Sequence, residues 1–280
     1  MRFHVTLANL QDCDRPSAYS LVEWIGKGLK ALGHETTAGP DTVRSDATNI
    51  FFEQFFPGDA ATMAHLDYAV IATEWADGYG WNLNGDDPYW RGRWEGFQEV
   101  SERARFTWCL VPESVPHAPR SALLELGWLP DMEQPPLPDV YDFFHHGSLT
   151  EDRMTILNAL GKRGHRIAMP LGLAGPVHLD KLIRSSKINL NLRTTDTFPI
   201  PSVGRIGRVL HSHRMVISEW APSTPTPADL VPMCPQGTSF VDFAELQLAD
   251  YNPDMTELAV DTYRQRPMTR CLERALDLVH

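Results

Sequence analysis

The sequence predicts an α/β protein with two β-α-β domains joined by a proline-rich segment. Short apolar runs, typical of buried strands, alternate with longer segments in which apolar residues recur at helical spacing. Four prolines between residues 129 and 142 exclude a helix there and stiffen the chain. After this segment the alternation of strands and helices starts again, which indicates a second domain of the same kind.

The first half of the chain contains four strand patterns and two helix patterns. Residues 17–35 repeat apolar side chains every three or four positions and reach Gly33, a residue that favours a helix end. A later helix carries Trp90, Trp94, Phe97 and Val100 in phase. The predicted strands are RFHVTLANL (2–10), NIFFEQFF (49–56), LDYAVIATE (66–74) and FTWCLVPES (106–114).

The second half repeats this pattern. Strands are predicted at DVYDFFHHGS (139–148), HRIAMPLG (165–172), KINLNLR (187–193), MVISEW (215–220) and TSFVDF (238–243). Helices are predicted at 149–165, 178–186, 202–212, 253–264 and 268–279. We therefore expect an N-terminal domain at 1–128, a linker at 129–141 and a C-terminal domain at 142–280, with the last helix able to pack back on the first domain.

The net charge and the cysteine content disfavour several classes of partner and site. The net charge of −11 disfavours duplex DNA as a partner, because phosphate binding usually requires a basic face, but it leaves small anions such as nucleotides open. The four cysteines are widely spaced and predict neither a zinc site nor disulfides. No signal-peptide pattern and no membrane-spanning run is found, so we expect a cytoplasmic protein.

Two basic stretches are candidates for anion binding. HHGS (145–148) follows a strand and precedes a helix that carries Arg153, so Gly147 and Ser148 could offer backbone N–H groups to an anion. An ordinary strand–helix turn is the alternative. GRIGRVLHSHR (204–214) places Arg205 and Arg208 on one helix face, where two guanidiniums need an anion or a carboxylate between them. The alternative is a solvated face paired with acids.

Two strands end in an acid. Glu74 closes IATEW (71–75) and Glu219 closes VISEW (216–220), and carboxyl ends of parallel strands are where open α/β sheets bind ligands. Chance placement of strand-end acids is the alternative for both. No GxSxG pattern occurs, so α/β-hydrolase chemistry has no support, and no GxGxxG or Walker pattern occurs either.

The run SSKINLNLR (185–193) alternates apolar residues with Lys187, Asn189 and Asn191 and ends in Arg193. In an interior strand, Asn191 and Arg193 would approach the carboxyl end, where a ligand cleft opens. In an edge strand the amides would face water.

Together these stretches resemble the C-terminal domain of GT-B glycosyltransferases. The resemblance is carried by DFFHHGSLTEDRMTILNALGKRGHRI (142–167), SSKINLNLR (185–193) and SVGRIGRVLHSHRMVISEW (202–220). It is closest to small bacterial enzymes grouped with family 1 and CgeB-like glycosyltransferases. IATEW and YWRGRWEGFQEV (89–100) resemble the N-terminal half of the same proteins.

The resemblance implies two Rossmann-like domains facing across a cleft and a metal-independent enzyme that transfers a sugar from a nucleotide-diphosphate sugar to an unidentified small molecule, glycan or protein. The nucleotide sugar is a co-substrate, and no cofactor is expected. Glu74 is the candidate base for an inverting reaction, with Asp77 in reserve. The donor-binding candidates are Gly147, Ser148, Arg153, Asn191, Arg193, Arg205, Arg208 and Glu219.

Ser202 is a departure from the family pattern. Relatives commonly carry an acid three residues before the helix arginine, and Glu219 is the residue that could compensate. Two alternatives stay open, and the departure at Ser202 favours the first of them. One is a catalytically silent protein of the same fold that binds a nucleotide, a sugar or a partner subunit. The other is a glycosyltransferase that modifies a nucleic-acid base.

Overall fold

The computed structural model describes residues 1–11, 15–76, 80–82, 86–170, 176–194 and 199–279. The chain divides into two compact units, Met1–Leu126 with Met268–His280, and Gly127–Pro267. Each unit contains a parallel sheet and several helices, as the sequence predicts.

The first unit is built on a six-stranded sheet with the strand order β2-β1-β3-β4-β5-β6. All neighbouring pairs are parallel. Its elements are β1 (Arg2–Thr6), α1 (Arg15–Ala31), β2 (Glu35–Gly39), β3 (Thr48–Phe52), α2 (Asp59–Thr62), β4 (Tyr68–Ala72), α3 (Pro88–Arg103), β5 (Thr107–Cys109), β6 (Ser121–Leu123) and α9 (Met268–Asp277).

Helix α3 lies unusually close to the chain that follows β3. A Cβ atom on Gly96 would come within 2.4 Å of the Phe56 backbone nitrogen, so only glycine fits at this position. Asp87 caps the helix by accepting hydrogen bonds from the backbone N–H groups of Tyr89 and Trp90, and Pro88 occupies its first turn. The close approach buries Phe97 against Trp81 in the core of this unit.

The second unit has a four-stranded parallel sheet with the strand order β10-β9-β7-β8. Its elements are β7 (Tyr141–Phe144), α4 (Glu151–Lys162), β8 (Ile167–Ala168), α5 (Pro176–Arg184), β9 (Ser186–Asn191), α6 (Val203–Leu210), β10 (Met215–Ser218), α7 (Phe240–Ala249) and α8 (Pro253–Arg264). Strand β9 lies between β10 and β7, so the alternating run at 185–193 is an interior strand and not an outer edge.

The two faces of β9 differ in polarity. Ile188 and Leu190 belong to an apolar core that also contains Leu157 and Leu160 of α4. Asn189 and Asn191 are buried on the opposite face. Two of the predicted polar side chains of this strand are therefore inside the protein and need partners there.

One predicted element is wrong, and the strands β2 and β6 and the short helix α2 were not predicted. TSFVDF is not a strand: Ser239 caps α7 by accepting a hydrogen bond from the backbone N–H of Asp242, and Phe240 and Ala244 share its buried face. Strand β2 was missed because its sequence, ETTAG, is exposed at a sheet edge and lacks alternation. Strand β6 was missed because it has only three residues.

The proline-rich segment 129–141 lies within the second unit. The backbone N–H of Leu137 donates to the carbonyl of Arg184, and that of Val140 donates to the carbonyl of Ser185. The buried Arg214 guanidinium donates to Asp139 Oδ1 and to the Leu137 carbonyl. At the other end of the chain, Met268 and Leu272 of α9 pack where a side chain on Gly28 of α1 would stand.

No helix among the described residues is both long and apolar enough to span a membrane. Within the same part of the chain, Cys109, Cys234 and Cys271 are buried and form no disulfide. Burial raises the pKa of the Cys109 thiol to about 12. Burial also raises the pKa of the Cys234 thiol, so both side chains are protonated at neutral pH.

Candidate functional site

Three adjacent strands of the second unit end at one edge of the sheet. Strands β7, β9 and β10 are parallel neighbours, so the chain leaves Phe144, Asn191 and Ser218 at the same edge. Open parallel sheets bind ligands at this edge. The structure brings together here most of the predicted donor-binding residues: Gly147, Ser148, Arg153, Asn191, Arg193, Arg205 and Glu219.

Asn191 links two elements at this edge. Its Oδ1 accepts a hydrogen bond of 2.7 Å from Arg205 Nη1 of α6, and its Nδ2 donates one of 3.0 Å to Ser218 Oγ of β10. The residue is 1% exposed. Both ends of the amide are satisfied, which explains how a polar side chain is accommodated inside this sheet.

Arg205 has unused hydrogen-bonding capacity. Its Nη1 donates to Asn191 and, at 3.3 Å, to the Leu192 carbonyl. Its Nε is buried without a partner among the described residues. Burial and the neighbouring Arg153 lower the pKa of Arg205 to about 9, so it is still positively charged at neutral pH. A half-buried cation whose buried Nε lacks a partner is suited to an anionic ligand.

Gly147 leaves room for this guanidinium. Its φ of +127° is a backbone conformation that side chains rarely adopt, and a Cβ there would lie 2.8 Å from Arg205 Nη2. The glycine predicted at this strand–helix corner therefore has two physical reasons to be glycine. The backbone of the turn comes close to the charge of Arg205, as an anion-binding loop requires.

Arg153 binds the protein itself. Its Nε donates to the Arg193 carbonyl, Nη1 donates to Ser148 O and Oγ, and Nη2 donates to Leu192 O and Thr194 Oγ1, at 2.7–3.2 Å. These five contacts match the five N–H donors of a guanidinium. Arg153 thus fastens the turn after β7 to the chain after β9, and its charge adds to the positive potential of the site.

Two more of the predicted donor-binding residues, Arg208 and Glu219, contact other parts of the protein. Arg208 forms an ion pair of 2.7 Å with Asp180 of α5, which fits the acid-paired alternative for that residue. Glu219 accepts a hydrogen bond from the backbone N–H of Arg193 through Oε2. Burial raises the pKa of Glu219, and the charges of Arg193 and Arg153 oppose this shift.

Two histidines at the site were not among the predicted binding residues. His145 is fully buried, and its Nδ1 donates to the Leu190 carbonyl at 3.1 Å. Burial, with the Arg205 and Arg153 charges opposing protonation, lowers its pKa to about 3. The pKa of His146 is also lowered, for the same reasons. The position of both histidines in HHGS, beside the predicted anion-binding turn, could have indicated them. The sequence does not show that they are buried, which is what keeps them neutral.

The first unit has its own cluster at the carboxyl ends of β3 and β4. Glu74 accepts a 2.7 Å hydrogen bond from Asn82 Nδ2. The buried Glu53 accepts hydrogen bonds from Thr73 N and Oγ1 and forms a 3.4 Å ion pair with the buried Arg93. Burial and the Glu74 carboxylate raise the pKa of Glu53. Asp77, the reserve base, lies outside the described residues.

No group of three or more His, Cys, Asp or Glu side chains that could hold a metal ion occurs in the described part of the chain. His211 and His213 have other partners. His211 donates to the Gly207 carbonyl and accepts from the Leu129 N–H, and His213 lies between the carboxylates of Glu133 and Glu257.

No family model and no curated protein matches the chain. Solved structures do. AviGT4, a glycosyltransferase involved in avilamycin A biosynthesis, has a TM-score of 0.56 at 10% identity, covering 100% of this chain and 97% of that one. WaaG, a glycosyltransferase of lipopolysaccharide biosynthesis, has a TM-score of 0.54 at 13% identity, covering 100% and 99%.

The chain has the GT-B fold. This confirms the fold class and the resemblance that the sequence predicts. An α-glucosyltransferase in complex with UDP and a DNA 13-mer containing an HMU base also has this architecture, with a TM-score of 0.51 at 8% identity over 100% of this chain and 99% of that one. At these identities the likeness shows the fold, and the roles of individual residues stay predictions.

Proposed function

We propose that this GT-B chain is a glycosyltransferase that moves a sugar from a nucleotide-diphosphate sugar to an acceptor hydroxyl without a metal ion. The observation that carries the proposal is the Arg205 guanidinium beside Gly147, whose Nε is buried without a partner among the described residues. A diphosphate supplies the negative charge and the acceptor oxygens that this group lacks. The similarity to glycosyltransferase structures supports the same reading.

In the proposed donor complex, Arg205 and the Gly147–Ser148 turn bind the diphosphate. Arg153 and Asn191 are positioning residues, because their polar atoms already bind the protein. Glu219 uses Oε2 for the backbone N–H of Arg193, and the proposal assigns its Oε1 to a donor hydroxyl, in place of the acid that the family pattern has at position 202. The exposed Ser202 side chain makes no capping hydrogen bond.

In the proposed reaction Glu74 takes the proton from the acceptor hydroxyl. The acceptor oxygen forms a bond to the anomeric carbon of the donor sugar, and the bond from that carbon to the diphosphate oxygen breaks. The electron pair leaves with the diphosphate, whose charge Arg205 stabilises. A single displacement of this kind inverts the configuration at the anomeric carbon.

A silent protein of the same fold is the first alternative, and Ser202 favours it. An active glycosyltransferase and a silent protein would both bind a nucleotide, so only turnover of a nucleotide sugar distinguishes them. A nucleic-acid base as acceptor is the second alternative. The similarity to the DNA-bound α-glucosyltransferase favours it, and the net charge of −11 disfavours it. The cytoplasmic location also stays a proposal.

The deciding experiment is release of free nucleoside diphosphate from UDP-, GDP-, TDP- and CMP-sugars, with CMP release for the last, followed by chromatography. We expect one donor to be hydrolysed slowly in water, and Arg205→Ala to reduce the rate at least about tenfold through the lost charge. Arg270→Ala is the matched control, because Arg270 is exposed on α9. Binding of a donor without any turnover would support the silent alternative.

A further inference from the structure

The loops after β1, β3 and β4 are joined by side chains in the first unit. Asn9 follows β1, and its Nδ2 donates to the carbonyl of Phe52 at the end of β3, at 2.6 Å, and to that of Gln54 in the loop beyond it, at 3.2 Å. Glu53 in turn accepts two hydrogen bonds from Thr73, which follows β4. Because these strands are parallel neighbours, the three loops form one continuous edge.

Two hydrogen-bond acceptors on this edge are unused. Asn9 Oδ1 and Gln54 Oε1 are both buried atoms without a partner among the described residues. The orientation of the Asn9 amide is fixed, because its Nδ2 is needed for the two carbonyls. Buried amide oxygens are normally satisfied, so this edge is suited to a ligand that brings hydrogen-bond donors.

Nearby charged and aromatic side chains further limit the chemical class of the ligand. Glu53 and Arg93 neutralise one another in a buried pair, which leaves the Glu74 carboxylate uncompensated on this edge among the described residues. Two residues beyond Gln54, Phe56 packs on Tyr89 with ring centroids 5.7 Å apart, and Tyr89 is 41% exposed. An exposed ring offers a packing surface to the apolar face of a sugar.

We infer that this edge binds a neutral carbohydrate, and that the acceptor of the proposed transfer is therefore a sugar hydroxyl. Several hydroxyls on one molecule can serve Asn9 Oδ1, Gln54 Oε1 and the Glu74 carboxylate together. A phosphorylated acceptor would be repelled by Glu74, and an apolar alcohol would leave the two amide oxygens unsatisfied. The role as acceptor rests on the proposed function, whereas carbohydrate binding can be tested without it.

Saturation-transfer NMR on the full chain tests the inference. The probes are maltose, cellobiose, lactose and trehalose, compared with glucose 6-phosphate and benzyl alcohol. Gln54→Leu is the deciding variant, since the Gln54 side chain makes no hydrogen bond within the described protein and we expect its replacement to leave the fold intact. Asn9→Leu is the second variant, and Gln247→Leu on α7 is the matched control.

We expect at least one disaccharide to bind. Loss of one hydrogen bond should weaken this binding about tenfold in Gln54→Leu and in Asn9→Leu, whereas Gln247→Leu and Arg205→Ala should keep it. The inference is overturned if no disaccharide binds, if only glucose 6-phosphate or benzyl alcohol binds, or if Gln54→Leu binds as the wild type does. Disaccharide binding without nucleotide-sugar turnover would remove the proposed transfer and leave the carbohydrate site.

Discussion

Asn191 Oδ1 lies 2.7 Å from Arg205 Nη1, and this hydrogen bond fixes one side of a guanidinium whose Nε is free among the described residues. The amide that makes it belongs to a buried interior strand, and the guanidinium belongs to the helix that follows. The strand thereby sets the direction of the charge at the sheet edge.

Replacement of Asn191 tests this relationship. Asn191→Leu keeps the approximate volume but leaves Arg205 Nη1 with the weaker contact to Leu192, so we expect affinity for nucleoside diphosphates to fall about tenfold. Asn191→Asp should also weaken binding, because a carboxylate would neutralise the guanidinium. Isothermal titration calorimetry checks both, and unchanged affinity in both variants would contradict the proposed role.

Gly147→Ala tests the close approach of the turn to Arg205. The new Cβ displaces Arg205 Nη2, which can move, but the φ of +127° remains strained and costs about 1–3 kcal/mol. We expect a lower midpoint in calorimetry together with weaker diphosphate binding. Gly164→Ala, at a φ of +92° with open space around it, is the control that carries strain without contacting Arg205. Equal diphosphate binding by the two variants would argue against the contact.

Arg153→Lys tests the positioning role. A lysine offers a point charge and cannot reproduce the fork that holds Ser148, Leu192 and Arg193. The free energy of unfolding should fall by about 2–4 kcal/mol in urea titrations, since buried carbonyls lose their donors. Arg163→Lys, at an exposed ion pair, should change it by less than about 1 kcal/mol. A similar small effect at Arg153 would refute the assignment.

His145 gives a pH dependence of known sign. Its folded-state pKa of about 3 lies below the unfolded value, so the unfolded chain binds the extra proton as the pH falls from about 6.5 towards 3. Stability from this residue is complete above pH 6.5 and is lost on acidification, by at most about 1.4 kcal/mol per pH unit. His145→Gln should remove about one proton from that slope between pH 6 and pH 4. A slope identical to that of the wild type would show that His145 is not the group involved.

The sequence predicts the fold well where one face of an element is apolar. Strand β4 and helix α3 follow directly from their patterns, whereas β2 is exposed and β6 is short, so neither leaves a periodic signal. The strand predicted at TSFVDF was wrong because six residues do not distinguish a strand from the first turns of a helix, and the cap at Ser239 decides it.

The sequence predicts the position of the candidate site better than it predicts the role of each side chain in it. Strand ends and glycines mark the sheet edge, so Gly147, Arg205 and Glu219 are found together. The sequence alone does not show where a long side chain points: Arg153 turns into the protein, and Arg208 meets Asp180 from a helix nearly thirty residues earlier. Burial, which makes His145 neutral, arises only when the unit folds.

The central claim is that Arg205 binds the diphosphate of a nucleotide sugar. Calorimetric titration of UDP, GDP and TDP, with uridine, guanosine and thymidine as controls, measures this most directly. We predict that one diphosphate binds, that its nucleoside binds at least about tenfold more weakly, and that Arg205→Ala removes the difference while Arg270→Ala keeps it. Equal binding of diphosphate and nucleoside, or a difference that survives in Arg205→Ala, would contradict it.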